Sequence, residues 1–161
     1  MPSRRIVDAS PLILLSKAGH LDLLRLGGVA VVVPEVVAAE VGAKGPDDAV
    51  ARAVREAAWL AIEPSPATPG PVLDCGIDAG ESAVLALALG DDSCEVVLDD
   101  KAGRSCARRL GIPCLGSLGL VLLGRRLGAI AAARPVLGRL RAVGLYLDDD
   151  FVDDVLKRLG E

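Results

Sequence analysis

The apolar run Val29–Val33, closed by Pro34, constrains this chain more than any other segment. A continuous run rich in β-branched residues reads as a strand covered on both faces, because a half-exposed strand would alternate with polar residues. Arg4–Asp8 reads as a short buried strand, Glu95–Leu98 and Ile112–Leu115 read as further strands, and Trp59–Glu63 is a candidate strand. Helical stretches lie between them. Ser10 is expected to cap a helix that opens with Pro11 and stops at Gly19. Leu21–Leu26 reads as a second short helix, and Pro34 begins one that ends near Gly42. Asp47 or Asp48 opens the next, through Ala58. Further helices are expected over Gly80–Leu89, Lys101–Leu110, after a Ser117 cap, and over Pro135–Val143 and Asp149–Leu159. Pro64–Pro71, with four prolines and a glycine, is a loop, and Leu145–Leu147 is a weak strand. This alternation implies an α/β fold, a central parallel sheet with helices on both faces. No repeat or boundary interrupts it, so residues 1–161 read as a single domain with a helical C-terminal extension at about 144–161.

The chain has 161 residues, of which 52% are hydrophobic and only 2% aromatic, so Leu, Val, Ile and Ala must build its core. A formal net charge of −4 argues against a generally basic nucleic-acid-binding coat, while leaving room for a local basic patch. No apolar run reaches the length of a membrane span, and Met-Pro-Ser-Arg-Arg does not lead into a signal-peptide core, so the expected location is cytoplasmic with no membrane contact. Cys75, Cys94, Cys106 and Cys114 lack the paired spacing of a zinc site and are expected to be buried reduced thiols. His20, the only histidine, looks like a helix-start residue and excludes most Ser-His-Asp or Cys-His schemes.

Acids at the edges of apolar runs point to chemistry. Asp8 follows one strand, and the Asp99-Asp100 pair follows another. In an open parallel sheet, sites gather at the carboxyl ends of strands. Glu40 has Val37 three and Val36 four residues before it, so it is expected to look inward. Glu81 closes the stretch Asp78-Ala79-Gly80-Glu81, which fits a capping box, yet it shares a helix face with Val84, Leu85 and Ala88. Each acid also has a structural reading: turn residue for Asp8, ion pair for Glu40, cap partner for Glu81, helix cap for Asp100. Carboxylates that converge repel one another unless a cation lies between them, and Mg²⁺ or Mn²⁺ suits oxygen ligands. The candidate metal ligands are Asp8, Glu40, Glu81, Asp99 and Asp100. Lys101, Arg104, Arg108 and Arg109 share the helix after Asp100 and form either a solvated face or a phosphate-contacting patch. Arg125 and Arg126 either join that patch or complement a helix dipole.

The order Val7-Asp8-Ala9-Ser10-Pro11-Leu12-Ile13, then Val33-Pro34-Glu35-Val36-Val37 with Glu40, then Gly80-Glu81, then Leu98-Asp99-Asp100 with Gly103-Arg104, resembles the PIN-domain superfamily, in its PIN-like, VapC-related nuclease branch. The likeness spans most of residues 4–143. It implies a three-layer α/β/α fold and a divalent-metal ribonuclease, often the toxin of a toxin–antitoxin pair. Asp8 and Glu40 match the first two acids and Glu81 the helix-borne third. Either Asp99 or Asp100 matches the acid after the fourth strand, where the wider superfamily often has a hydroxyl residue.

Together these readings give a metal-dependent endoribonuclease. Its catalytic residues are Asp8, Glu40, Glu81 and Asp99, and Ser10, Lys101 and Arg104 contact the RNA substrate. Water attacks the phosphodiester, because no positioned side-chain nucleophile is evident. The alternative is a catalytically weak or inactive PIN-like binding module acting through protein partners. A phosphoacceptor receiver domain fits less well, since it wants its paired acids after the first strand. The region 117–143 carries more apolar surface than one helix can bury against its own sheet, which suggests a homodimer or a cognate antitoxin.

Overall fold

Five short parallel strands form the centre: β1 (Arg4–Val7), β2 (Ala30–Pro34), β3 (Leu60–Glu63), β4 (Cys94–Val97) and β5 (Cys114–Leu115). Their spatial order is β3-β2-β1-β4-β5. The computed structural model describes residues 1–161. Nine α-helices accompany the sheet: α1 (Ala9–Lys17), α2 (Glu35–Gly42), α3 (Ala49–Glu56), α4 (Gly70–Leu73), α5 (Ala79–Ala88), α6 (Lys101–Arg109), α7 (Ser117–Arg126), α8 (Ala133–Ala142) and α9 (Asp149–Arg158). A 3₁₀ helix, Leu21–Arg25, precedes β2.

The chain runs outward from β1 to β2 and β3, returns across the sheet to β4, and continues to β5. Right-handed crossovers place the helices of the outward and return paths on opposite faces. α5 accordingly packs along β1, β2 and β4 with α4 and α6 beside it, α1, α7, α8 and the 3₁₀ helix pack on one another, and α2, directly after β2, touches both α1 and α5. The result is the three-layer α/β/α arrangement. Ile6, Val7, Val33, Val96 and Val97 are fully covered in the sheet, and Leu12, Leu15, Val84, Leu85, Leu120 and Leu140 close over it.

Most elements lie where the residue pattern puts them, and the differences have local causes. α1 begins directly after Asp8, whose extended backbone occupies the cap position without a side-chain bond. The Asp8 carbonyl already accepts from Leu12 N–H, so Ser10 sits exposed in the first turn and caps nothing. Gly116, not Ser117, holds the cap position of α7. The end of the proline-rich loop winds into the short helix α4, with Pro71 in its first turn. Leu145–Leu147 is no strand: its two leucines pack on the core while Tyr146 points to solvent, an alternation produced by a connection lying on the surface.

The cysteines correct the expectation of four reduced thiols. Cys75 and Cys106 form a disulfide, because the turn after α4 folds back against α6. Cys94 and Cys114 are free.

A charged pair sits inside the apolar sheet. Arg5 on β1 is 1% exposed and stands directly opposite Glu95 on β4. Its Nε donates to Glu95 Oε1 at 2.6 Å, and its Nη1 donates to the carbonyls of Leu24 at 2.7 Å and Leu26 at 3.1 Å. One guanidinium thus ties two strands to the 3₁₀ helix. Glu95→Ala would leave that charge buried without its counter-ion. We expect denaturant unfolding to show a loss of about 3–5 kcal/mol. A loss below ~1 kcal/mol would mean that the backbone carbonyls alone satisfy Arg5.

Candidate acidic site

β1 and β4 are the neighbouring strands at which the chain's direction across the sheet reverses. In open α/β sheets the ligand crevice lies at such a point, beyond the carboxyl ends of the strands. Asp8 is the first residue past β1, and Leu98 and Asp99 are the first past β4. The β1–β4 ladder runs from Arg4 opposite Cys94 to Val7 opposite Val97, so Asp8 and Asp99 emerge side by side at the same edge.

Asp8 is 7% exposed. A Cβ built on Gly80 would stand 3.2 Å from Asp8 Oδ1, 3.1 Å from Glu40 Oε2 and 3.5 Å from Asp78 Oδ1. Three carboxylates therefore meet over the first turn of α5, in space that exists because residue 80 has no side chain. Glu40 corrects one expectation. Val37 and Val41 form the covered side of α2, and Val36 and Glu40 are exposed. Glu40 reaches the cluster from the solvent side, as a residue of the rim.

Glu81 is the buried member. It is 4% exposed, and its Oε1 has no hydrogen-bond partner. Asp78 caps α5 by accepting from Glu81 N–H at 2.8 Å, which points the first turn of the helix into the site. Gly103 of α6 closes the other side: a Cβ there would come within 2.5 Å of Glu81 Oε1. The Gly103-Arg104 pair thus has a steric meaning, because the glycine makes room for a carboxylate. Gly116 does the same for Arg104, whose guanidinium occupies the space a side chain would need and reaches the Leu98 carbonyl at 3.5 Å.

Asp99 and Asp100 separate into different surroundings. Asp99 is half-buried and accepts from Ser117 N–H at 2.7 Å and Ser117 Oγ–H at 2.5 Å. It joins β4 to the start of α7. Asp100 is exposed and caps α6 by accepting from Ala102 N–H at 2.9 Å. Lys101 and Ser10 are exposed near the same edge. Arg109, grouped with the basic patch by its position in sequence, donates instead to Cys75 Sγ at 3.0 Å, and Arg125 pairs with Glu161. Asp78 belongs to the cluster although its sequence signal was only that of a helix cap. Its position one turn before Glu81 was the available clue.

The electrostatics follow from this crowding. Burial pushes the Asp8 carboxyl up to about 6, with Asp78, Glu40 and Asp99 adding to the rise and the Ala9 N–H opposing it. Burial likewise pushes Glu81 up to about 7, reinforced by Asp78, Asp100 and Asp8. No three ligating side chains stand close enough together to encircle a metal ion. A hard cation such as Mg²⁺ needs only one or two protein carboxylates and keeps water on its other positions. The unpartnered Glu81 oxygen, the raised proton affinities and the gap over Gly80 therefore fit a hydrated divalent cation.

Two measurements test this geometry. Asp8 and Glu81 hold protons in the folded state at pH values where the unfolded chain has lost them. Their contribution to stability is therefore full below about pH 4 and declines as pH rises through 6 and 7, by up to about 3 kcal/mol per group. His20, whose proton affinity is lowered by burial and Arg139, acts in the opposite sense, so the variant comparison isolates the acids. Between pH 5 and 8 the melting temperature of Glu81→Gln should fall less than that of the parent chain, and equal slopes would refute the assignment. Gly103→Ala should destabilise by about 1–3 kcal/mol through overpacking, and much of that loss should vanish in a Glu81→Ala background. Additive losses would place the clash elsewhere.

A family model for the PIN domain matches residues 4–161. No curated protein and no solved structure matches the chain. The match covers all five strands and all nine helices, with the acids of the β1–β4 crevice among them. The chain belongs to the PIN-domain family, whose members are generally nucleases.

Proposed function

We propose that this protein is a divalent-metal-dependent endoribonuclease, and the toxin of a toxin–antitoxin pair. The observation that carries the reading is the buried Glu81 carboxylate, its Oε1 unpartnered, beside Asp8 at the sheet's reversal point. A buried carboxylate without a partner is costly, and such cost is tolerated where it serves a site. Asp8 and Glu81 would hold Mg²⁺ or Mn²⁺ directly, with Glu40 and Asp99 or Asp100 holding it through its bound water. When bound, such a cation supplies an acidified water and neutralises phosphate charge. Glu40, exposed at the mouth, orients the attacking water and accepts its proton. Arg104, fixed against Gly116, holds a flanking phosphate, with Lys101 and Ser10 at the rim. The outer surface of α7, continued by Leu127 just past its end, which is 51% exposed, is the candidate face for a homodimer or an antitoxin. It is narrower than the composition of 117–143 implied, because Leu120, Val121, Val136, Leu137 and Leu140 are buried within the monomer.

One observation favours the alternative of a binding module without catalysis: both oxygens of Asp99 are already engaged by Ser117. Incubating the metal-stripped protein with mixed RNAs, with and without Mn²⁺ or Mg²⁺, separates the two. Cleavage should need added metal and should drop at least ~100-fold in Asp8→Asn, while the variant keeps its circular dichroism and melting transition. Full cleavage by well-folded Asp8→Asn, or none by the parent chain with either metal, would sink the nuclease reading. Light scattering over a wide dilution range tests the dimer, and a strictly monomeric mass at high micromolar concentration refutes it.

A further inference from the structure

We propose that Cys75 and Cys106 form a thiol-reactive clamp whose oxidation state controls the acidic site. This deepens the reading above by naming what regulates the site. The disulfide is placed at the junction that seats Glu81. Three residues before Cys106 on α6 is Gly103, against which the Glu81 carboxylate rests. Three residues after Cys75 is Asp78, the cap that holds the Glu81 backbone N–H. The S–S bond thus links the two segments that form opposite sides of the Glu81 pocket, across a separation of 31 residues and a Cα–Cα distance of 5.9 Å.

Between the buried Val72 and Ile77, which packs on the core, the Cys75 turn is tied to α6 by the disulfide and the Arg109 contact to Cys75 Sγ. Asp74 and Gly76 on either side are exposed, and the turn is held by the bonds of Cys75 N–H to Val72 O and Gly76 N–H to Leu73 O. Both bonds are local to α4 and its end, so neither anchors the turn to α6. With the disulfide open, α6 and the first turn of α5 keep their helices but lose the covalent tie between them. Glu81 Oε1 is buried without a partner, and the bond that holds the carboxyl comes from the Asp78 backbone N–H, three residues past Cys75.

The chemistry of opening is directional. Cys106 is 3% exposed, whereas Cys75 is half-buried and reachable. A low-molecular-weight thiolate attacks Cys75 Sγ, the S–S bond breaks, and Cys106 leaves as a thiolate that takes up a proton. A second thiol then displaces Cys75 from the mixed disulfide. The sum is one protein disulfide and two small thiols converted to two protein thiols and one small disulfide. In the reverse direction Cys75, the more exposed of the two cysteines and in contact with the Arg109 guanidinium at 3.0 Å, is the one that meets an oxidised small disulfide first. Cys94 and Cys114 are free and take no part.

The test uses the full chain equilibrated in reduced and oxidised glutathione at a series of ratios, with alkylation and mass measurement to count free thiols. Oxidised protein should show two alkylatable cysteines after denaturation, and reduced protein four. Reduction should lower the melting temperature by roughly 5–10 °C. It should accelerate amide hydrogen exchange over residues 74–81 and weaken Mn²⁺ binding about tenfold. Cys75→Ser should behave as the reduced protein at every ratio, and a Cys94→Ser control should still switch. Four free thiols in the fully oxidising buffer would overturn the clamp. So would unchanged exchange over 74–81 once the bond is shown to open. Faster exchange with no Mn²⁺ binding in either state would keep the clamp and remove the metal reading instead.

Discussion

The pairing of β1 with β4 is the constraint on which the rest depends. Parallel register places Arg5 opposite Glu95 and Val7 opposite Val97, and Asp8 N–H continues the ladder by donating to the Val97 carbonyl at 3.2 Å. The salt bridge at one end of this ladder and the acids at the other are therefore positioned by the same hydrogen bonds. A slip of one residue would turn every side chain of β1 to the opposite face. Arg5 would lose Glu95 and the carbonyls of Leu24 and Leu26, and Asp8 would leave the crevice. The buried ion pair resists that slip, because only one register satisfies it. Its contribution is better described as selection of register than as net stability, since burying charges costs much of what their attraction returns.

Around this frame, the site is assembled from absences as much as from side chains. Gly80 leaves the gap into which Asp8, Glu40 and Asp78 project, Gly103 leaves room for Glu81, and Gly116 leaves room for Arg104. None of the three has a positive backbone angle, so none is present for a turn. Their role is steric. Removing three side chains from helix starts costs packing, and the space is filled by charged groups that oppose one another. The fold tolerates this because the strain is confined to one edge, while the valine ladders and leucine layers beneath it are fully covered.

This division explains what could be read from the residues alone. Val29–Val33 announces a covered strand because its apolar run has no other reading, and α5 and α6 appear where Asp78 and Asp100 cap them. Asp8 and Glu81 were legible as charged residues among apolar ones. What the pattern hid depends on distance in the chain. Arg5 lies in a strand-like run, but its partner is 90 residues away, so burial could not be inferred. The disulfide joins a loop to a helix 31 residues on, and only the fold makes them neighbours. Glu40 was misplaced for a different reason. Two valines one turn back suggested a covered face, yet α2 is short and only Val37 and Val41 are buried, so the glutamate remains on the rim.

The acids are consequently not equivalent, and their differences divide the work. Asp99 spends its oxygens on Ser117, which is completely buried, and this pairing fixes the distance between the end of β4 and the start of α7. Asp100 and Asp78 order the first turns of α6 and α5. Asp8 and Glu81 are buried, and crowding by neighbouring carboxylates adds to the rise in proton affinity that burial causes. Glu40 and Asp78 are the exposed members of the cluster, and Asp78 Oδ1 is engaged by the Glu81 N–H. A cation entering this edge would meet Glu40 first and relieve Asp8 and Glu81 most, because those two gain the most from an added positive charge. Helix capping thus positions the first turns, and the two buried carboxylates, costly on their own, are the groups left to interact with whatever enters.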